Sequence, residues 1–301
     1  MNGKFQNIET IAAYDEMLGV ETLHPLVNVI NLDESKPMHH MRHTFGFYVV
    51  FLKDEKNCDI IYGRRKYDYQ NGTVVCLAPG QVIGIEDTGE VFQPKGRALC
   101  FHPDFLHGTE LGRHMKEYSF FNYEVNEALH LSDEERSAFL ECLDNIGREL
   151  RRPADSMSRR LVVNHIELLL NYCMRFYERQ FGTRHETNTD VISRFESLLN
   201  NYFADGNAAR KGLPTVKYCA SELCLSANYL GDLMKKETGH TALEYIQSKI
   251  MSIAKEALLI PSHSISQVAY MLGFQYPQHF TRVFKKATGM TPNEYRNKNT
   301  Y

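Results

Sequence analysis

Gln278, Thr281, Arg282 and Lys285 recur at i, i+3, i+4 and i+7, the spacing that places four side chains on one face of a helix. Arg and Gln carry flat, forked hydrogen-bonding groups whose geometry matches the edges of guanine and adenine, and a Lys at the end of such a face can neutralise phosphate. Asn228, Gly231, Asp232 and Lys235 recur at the same spacing earlier in the chain. A single polar helix face is ordinarily just solvated. Two such faces in register point to a surface that reads a double helix, so the elements that carry them matter.

Those elements are one motif written twice. The run VKYCASELCLSANYLGDLMKKETGHTALEYI from Val216 aligns with ISQVAYMLGFQYPQHFTRVFKKATGMTPNEYR from Ile265. The offset is 49 residues up to Leu225/Phe274 and 50 from Ser226/Tyr276 onward, a one-residue insertion in the turn. The first helix of each copy has apolar residues at helical spacing: Val216, Cys219, Ala220 and Leu223, then Ile265, Val268, Ala269 and Leu272. A short turn follows, containing Cys224 in one copy and Gly273 in the other. The second helix offers Leu230, Leu233 and Met234, or Phe280, Val283 and Phe284, to a core. Short helix, tight turn and second helix make a helix-turn-helix pattern. Thr241–Leu259 reads as a linking helix of about 19 residues, hence about 28 Å long, suited to setting two recognition helices into major grooves about 34 Å apart.

The second copy contains Ala269-x-x-Leu272-Gly273-Phe274-x5-Phe280-x-Arg282-x-Phe284-Lys285-Lys286-x-x-Gly289-x-Thr291-Pro292-x-x-Tyr295-Arg296. This run resembles the AraC/XylS family of bacterial transcription regulators. The strong match covers about 215–296, and the resemblance implies a whole DNA-binding domain over 191–301. It further implies that Asn228, Gly231, Asp232, Pro277, Gln278, Thr281 and Arg282 face base edges. Arg282 suits a bidentate guanine contact and Gln278 an adenine contact. Ser226 stands at an N-cap position, and it joins Lys235, Lys236, Lys285 and Lys286 as expected phosphate contacts. Asp232 departs from the family, where Arg is frequent. A carboxylate repels phosphate unless it accepts from cytosine, so the first copy is expected to contribute less affinity than the second. Tyr276-Pro277 replaces a polar N-cap, and Pro at the first helical position leaves the helix start intact.

The 301 residues, 43% hydrophobic and 24% charged, are those of an ordinary globular protein and exclude collagen-like or wholly disordered chains. The net charge of −3 argues against a nucleic-acid partner until it is divided. Residues 210–301 hold 12 Lys+Arg against 6 Asp+Glu, net +6, which leaves 22 against 31, net −9, for residues 1–209. A phosphate backbone meets one domain's surface and not the sum over the chain. The seven cysteines are scattered singly, as in reduced cytosolic proteins, and neither a signal peptide nor a membrane span is apparent, so a cytoplasmic protein with no membrane partner is expected.

The remainder reads as a regulatory front half. Strand-like runs at His43–Lys53, Asp59–Leu77 around an Asn71-Gly72 turn, and Tyr118–Val125 suggest a sandwich or jelly-roll barrel within 1–127. A helical hairpin over 128–181 follows, with a capping box at Ser132-x-x-Glu135. Its stripes are Phe139, Leu143, Ile146 and Leu150, then Leu161, His165, Leu168, Tyr172, Cys173 and Phe176, which pack on the barrel or on a second copy of the chain. The polar stretch 182–190 reads as a linker. With the cupin-like character that the resemblance implies, the expected fold class is α+β: an N-terminal cupin-like β-barrel with a two-helix segment, then an all-α DNA-binding domain with two helix-turn-helix motifs joined by a linking helix. The family resemblance extends to this front half only in architecture.

Expected partners are double-stranded DNA, a small-molecule effector and a homodimer mate, with RNA polymerase a further candidate. Phe45, Phe47, Tyr48, Phe101 and Phe105 are candidates to line an effector cavity or simply to fill the core. His39, His40, His43, His102 and His107 invite a metal-enzyme reading of the barrel, but adjacent His39-His40 would point to opposite faces of a strand. No catalytic residue, metal or cofactor is therefore assigned.

Overall fold

The computed structural model describes residues 5–39, 42–53, 60–62, 65–67, 72–84, 91–123, 127–183 and 185–299. The chain divides into two compact units, residues 1–183 and 184–301.

In the first unit, β1 (Phe5–Ile8) and α1 (Ile11–Leu18) are followed by β2 (Val27–Asn31), β3 (Met38–His39), β4 (Arg42–Phe45) and β5 (Tyr48–Lys53). Then come β6 (Ile60–Tyr62), β7 (Arg65–Tyr67), β8 (Thr73–Leu77), β9 (Val82–Gly84), β10 (Val91–Phe92) and β11 (Gly96–Phe101). Two short helices, α2 (Pro103–Leu106) and α3 (Glu110–His114), lead to β12 (Leu129–His130), α4 (Asp133–Leu150) and α5 (Ser158–Thr183).

The main sheet has the order β12-β8-β5-β11-β2, all antiparallel, beside a three-stranded sheet β1-β4-β9 and the pairs β10-β3 and β6-β7. Alternation along the central strands is hidden because both faces are covered. Val49, Phe51, Val75 and Leu77 pack into a cluster with Ile11, Tyr14 and Phe45. The intervening side chains face the other way, where Cys76 meets Cys173 of α5. Gly147 of α4 lies over Val29 of β2; a Cβ there would sit 3.9 Å from the Val29 Cβ and 3.3 Å from the Arg151 guanidinium.

Four expectations change here. Among the described residues the strands form separate sheets and do not close into a barrel, and α4 and α5 contact the edge strands β2 and β12 of the main sheet. The run His43–Lys53 breaks at Gly46, where a Cβ would sit 2.7 Å from the Glu9 carbonyl oxygen. Ser119–Asn122 is a 3-10 turn and not strand, although its aromatic composition suits a strand, and Tyr118, Phe120, Phe121 and Tyr123 are all buried. Residues 182–190 hold the boundary between the two units, as a linker should, but are helical wherever they are described: α5 runs to Thr183 and α6 starts at His185. Polarity without a Pro does not stop a helix. Asn71 of the expected hairpin lies outside the described residues.

The second unit is all helix: α6 (His185–Ala204), α7 (Asn207–Lys211), α8 (Val216–Leu223), α9 (Ala227–Thr238), α10 (Ala242–Leu258), α11 (Ile265–Met271), α12 (Pro277–Thr288) and α13 (Pro292–Asn299). One core joins Phe195 and Leu199 of α6 to Cys219, Leu230, Met234, Ile246, Ala254, Val268, Phe280 and Phe284. Local signals set most boundaries. Thr215, Ser226, Thr241 and Ser264 cap the N-termini of α8, α9, α10 and α11 through their hydroxyls, and Gly239 and Gly289 end α9 and α12 in the left-handed conformation.

Candidate nucleic-acid interface

The two repeated motifs fold as α8-turn-α9 and α11-turn-α12. Their apolar positions are the buried ones: Cys219, Ala220 and Leu223, then Leu230, Leu233 and Met234, in the first copy; Val268, Ala269 and Leu272, then Phe280 and Phe284, in the second. With that stripe turned inward, the helical period turns the opposite face of α9 and α12 outward.

On α12 the outward face holds Gln278, Arg282 and Lys285, all exposed, and Thr281, half-buried. The Thr281 hydroxyl donates to the Pro277 carbonyl at 3.0 Å, so what it offers outward is a methyl group and an oxygen lone pair. The side chains of Gln278 and Arg282 hydrogen-bond to no other described residue and form no ion pair. An exposed guanidinium with no carboxylate beside it is a donor fork held ready for an external acceptor. Lys285 is within electrostatic reach of Glu294. Pro277 occupies the first turn of α12, and Tyr276 before it gives no side-chain cap.

On α9, Asn228, Lys235 and Lys236 are exposed, while Gly231 and Asp232 are half-buried. A Cβ on Gly231 would meet nothing within 4 Å, so this glycine leaves open space over the helix face and not a tight internal contact. The Ser226 hydroxyl accepts from the Tyr229 backbone N–H at 3.0 Å, which fixes the start of α9. Lys286 is exposed on the flank of α12.

Two features position these faces relative to each other. The first is α10, 17 residues long, which at 1.5 Å per residue rises about 26 Å. The second is the turn of the second motif. Gly273 has φ +92°, and a Cβ there would lie 2.7 Å from the Gly212 carbonyl carbon and 2.8 Å from the Ala208 carbonyl oxygen. The α11–α12 turn is therefore seated against the backbone that precedes the first motif. The equivalent residue of the first motif, Cys224, also takes the left-handed conformation, φ 66°, ψ 38°, and is the one non-glycine to do so among the described residues.

Sequence reasoning missed the role of Arg296. Its guanidinium donates to the Leu258 and His263 carbonyls, both at 2.7 Å, tying α13 to the end of α10. Tyr276, placed by the sequence at the start of α12, is 66% exposed.

In the first unit, Phe45, Phe47, Phe101 and Phe105 are buried core side chains and Tyr48 stacks on Phe101. His39 is exposed, His102 caps α2 by accepting from the Asp104 N–H, and His107 ends that helix; His40 lies outside the described residues. His43 is buried, its Nδ1 has no partner, and burial pulls its pKa down to about 4. Among the described residues no three His, Cys, Asp or Glu side chains converge as metal ligands.

Cys173 and Phe176 of the stripe expected on α5 are buried, but its N-terminal part is displaced by one position. Val162, Ile166, Leu169, Cys173 and Phe176 are buried, while Leu161 and Leu168 are 40% and 44% exposed. The neighbouring aliphatic positions 161/162 and 168/169 make the choice of face ambiguous from spacing alone.

Residues 219–298 match the model of a helix-turn-helix domain. The chain is 32% identical over 111 residues to the uncharacterized transcriptional regulatory protein YesN of Bacillus subtilis, an overlap covering 36% of this chain and 28% of that protein. It is 28% identical over 139 residues to the arabinose operon regulatory protein of Escherichia coli, 46% of this chain and 44% of that one. Similarity to the probable transcriptional regulator LumQ of Photobacterium leiognathi is lower, 21%, but spans 90% of this chain and 96% of the relative. The chain thus spans well under half the length of YesN and nearly all of LumQ.

Proposed function

We propose that the chain, whose residues 219–298 match a helix-turn-helix domain, is a sequence-specific DNA-binding regulator of transcription of AraC type whose α9 and α12 enter adjacent major grooves. The observation that carries this is the α12 face: Gln278 and Arg282 exposed, without internal partners, on a helix whose other side is locked into the core by Phe280 and Phe284. Arg282 reads guanine and Gln278 adenine; Asn228, Gly231, Asp232, Pro277 and Thr281 shape the rest of the base-facing surface. Ser226, Lys235, Lys236, Lys285 and Lys286 meet phosphate.

The N-terminal unit, cupin-like in its β-rich part, senses a small molecule, dimerises, or both. A ligand that prefers one arrangement of two chains changes how often paired sites are engaged. Leu161 and Leu168, with Met157 at 46% exposure, form an outward apolar stripe on and just before α5 that suits contact with a second copy.

Gel-shift titration on duplexes selected by the full chain from a random library tests the DNA-reading role. Arg282→Ala is expected to weaken the selected site by about 1–3 kcal/mol while sparing competitor DNA. Equal loss on both would remove Arg282 from base reading.

A further inference from the structure

Between α10 and α12 lies an open cleft of about 730 Å³. Its floor is apolar, with Ile250, Met251 and Phe274 buried. Its α10 wall is a single helix face, Glu244, Gln247, Ser248, Met251, Ser252 and Lys255, at i, i+3, i+4, i+7, i+8 and i+11. Its other wall is the flank of α12 that bears His279 and Lys286.

The charges of this rim are unequally engaged. Glu244 accepts from the Thr241 N–H and hydroxyl in the α10 capping box, which holds its carboxyl below the usual range. Lys255 and Lys286 are exposed and neither hydrogen-bond nor pair with any other described residue. The cleft therefore presents two uncommitted cations against one carboxylate already occupied by its own helix.

Its position within the unit supplies the partner. His279, Val283 and Lys286 each follow a base-facing or phosphate-facing position of α12 by one residue, a rotation of 100° about the helix axis, so the cleft opens beside the recognition face. At the other end, Glu244 is within electrostatic reach of Lys235 on the outward face of α9. A duplex lying on both recognition helices has to pass over the ground between them. There, between two major-groove segments, it presents its minor groove and the phosphates on either side.

We propose that this cleft seats the sugar–phosphate backbone of the central minor-groove segment, with Lys255 and Lys286 each neutralising a phosphate and Ser248 and Ser252 donating hydrogen bonds to phosphate oxygens. The linking helix is then part of the interface as well as a spacer, and its contribution is affinity without base preference. This rests on the DNA-binding reading above.

The test is the salt dependence of binding by the full chain to a duplex it selects from a random library. Each phosphate neutralised contributes about 0.9 to the slope of log K against log salt. Lys255→Gln should lower that slope by about 0.9, the Lys255→Gln/Lys286→Gln double variant by about 1.8, and both should lose affinity for selected and competitor DNA alike. Replacing the central phosphates by neutral methylphosphonates should abolish the difference between parent and Lys255→Gln. An unchanged slope in a variant with parental circular dichroism, or a difference that survives methylphosphonate substitution, would overturn the proposal and leave the cleft to another occupant. A parent chain that selects no duplex at all would defeat the DNA-binding reading itself.

Discussion

Gly273→Ala should damage the C-terminal unit far more than its surface position suggests, and the matching change in the first motif should do the opposite. At φ +92° an L-residue is disfavoured by about 1–2 kcal/mol. The added methyl also meets three backbone atoms, the Gly212 carbonyl carbon at 2.7 Å, the Ala208 carbonyl oxygen at 2.8 Å and the Leu213 nitrogen at 2.9 Å. None can rotate away as a side chain would, so overpacking of about 1–3 kcal/mol adds to the dihedral cost. The total is about 2–5 kcal/mol, a large share of the stability of a domain of ordinary size. Cys224, at φ 66° and ψ 38°, sits near the left-handed minimum. Cys224→Gly removes about 1–2 kcal/mol of strain and restores about 0.5–1 kcal/mol of unfolded-chain entropy, leaving a gain of about 0.5 kcal/mol. Because the chain has no tryptophan, urea denaturation is best followed by far-ultraviolet circular dichroism. Gly273→Ala should lower the transition midpoint of the helical unit and, by unseating the second motif from the Gly212 segment, weaken two-groove DNA sites more than single half-sites. A Gly273→Ala protein within 0.5 kcal/mol of the parent would refute the claim that this contact is rigid.

Three further outcomes follow from other parts of the molecule. Arg296→Met removes two charge-assisted hydrogen bonds to the Leu258 and His263 carbonyls and should cost about 2–3 kcal/mol; chemical denaturation reads it, and full stability would show that water replaces the guanidinium. Leu161→Lys/Leu168→Lys should shift the sedimentation coefficient toward a monomer with parental circular dichroism; an unchanged mass would remove this stripe from any dimer contact. His43 has a folded-state pKa of about 4, below the ordinary 6.5. The unfolded chain therefore takes up a proton between pH 6.5 and 4 that the folded chain refuses, so stability is full above pH 6.5 and falls by up to about 3 kcal/mol as pH drops to 4. His43→Leu should flatten that part of the pH–stability curve, and an identical acid slope would assign the effect elsewhere.

The helical half was legible because its signals are local. Apolar residues at i, i+3, i+4 and i+7, hydroxyl caps and a repeated turn state their own structure, and duplication supplies an internal check that a single helix lacks. Even the unusual Tyr276-Pro277 start of α12 followed from the tolerance of Pro at the first helical position. The strand-rich half was less legible. Buried on both faces, β5 and β8 show continuous apolar runs with no period, and the aromatic-rich segment Tyr118–Tyr123 has the composition of a buried strand while Ser119–Asn122 folds as a 3-10 turn.

From the sequence alone came the two motifs, the basic character of the C-terminal region and the side chains that face outward on each second helix. What only the tertiary structure decided is which uncommitted groups share a surface: Lys255 beside Lys286 across a cleft, Gly273 against Gly212, Arg296 closing the end of α10. The division has a physical cause. Helical periodicity is a property of neighbours within one turn and is written in adjacent residues, whereas the meeting of α10 with α12 or of a turn with a distant backbone depends on how whole helices pack, which no local spacing encodes.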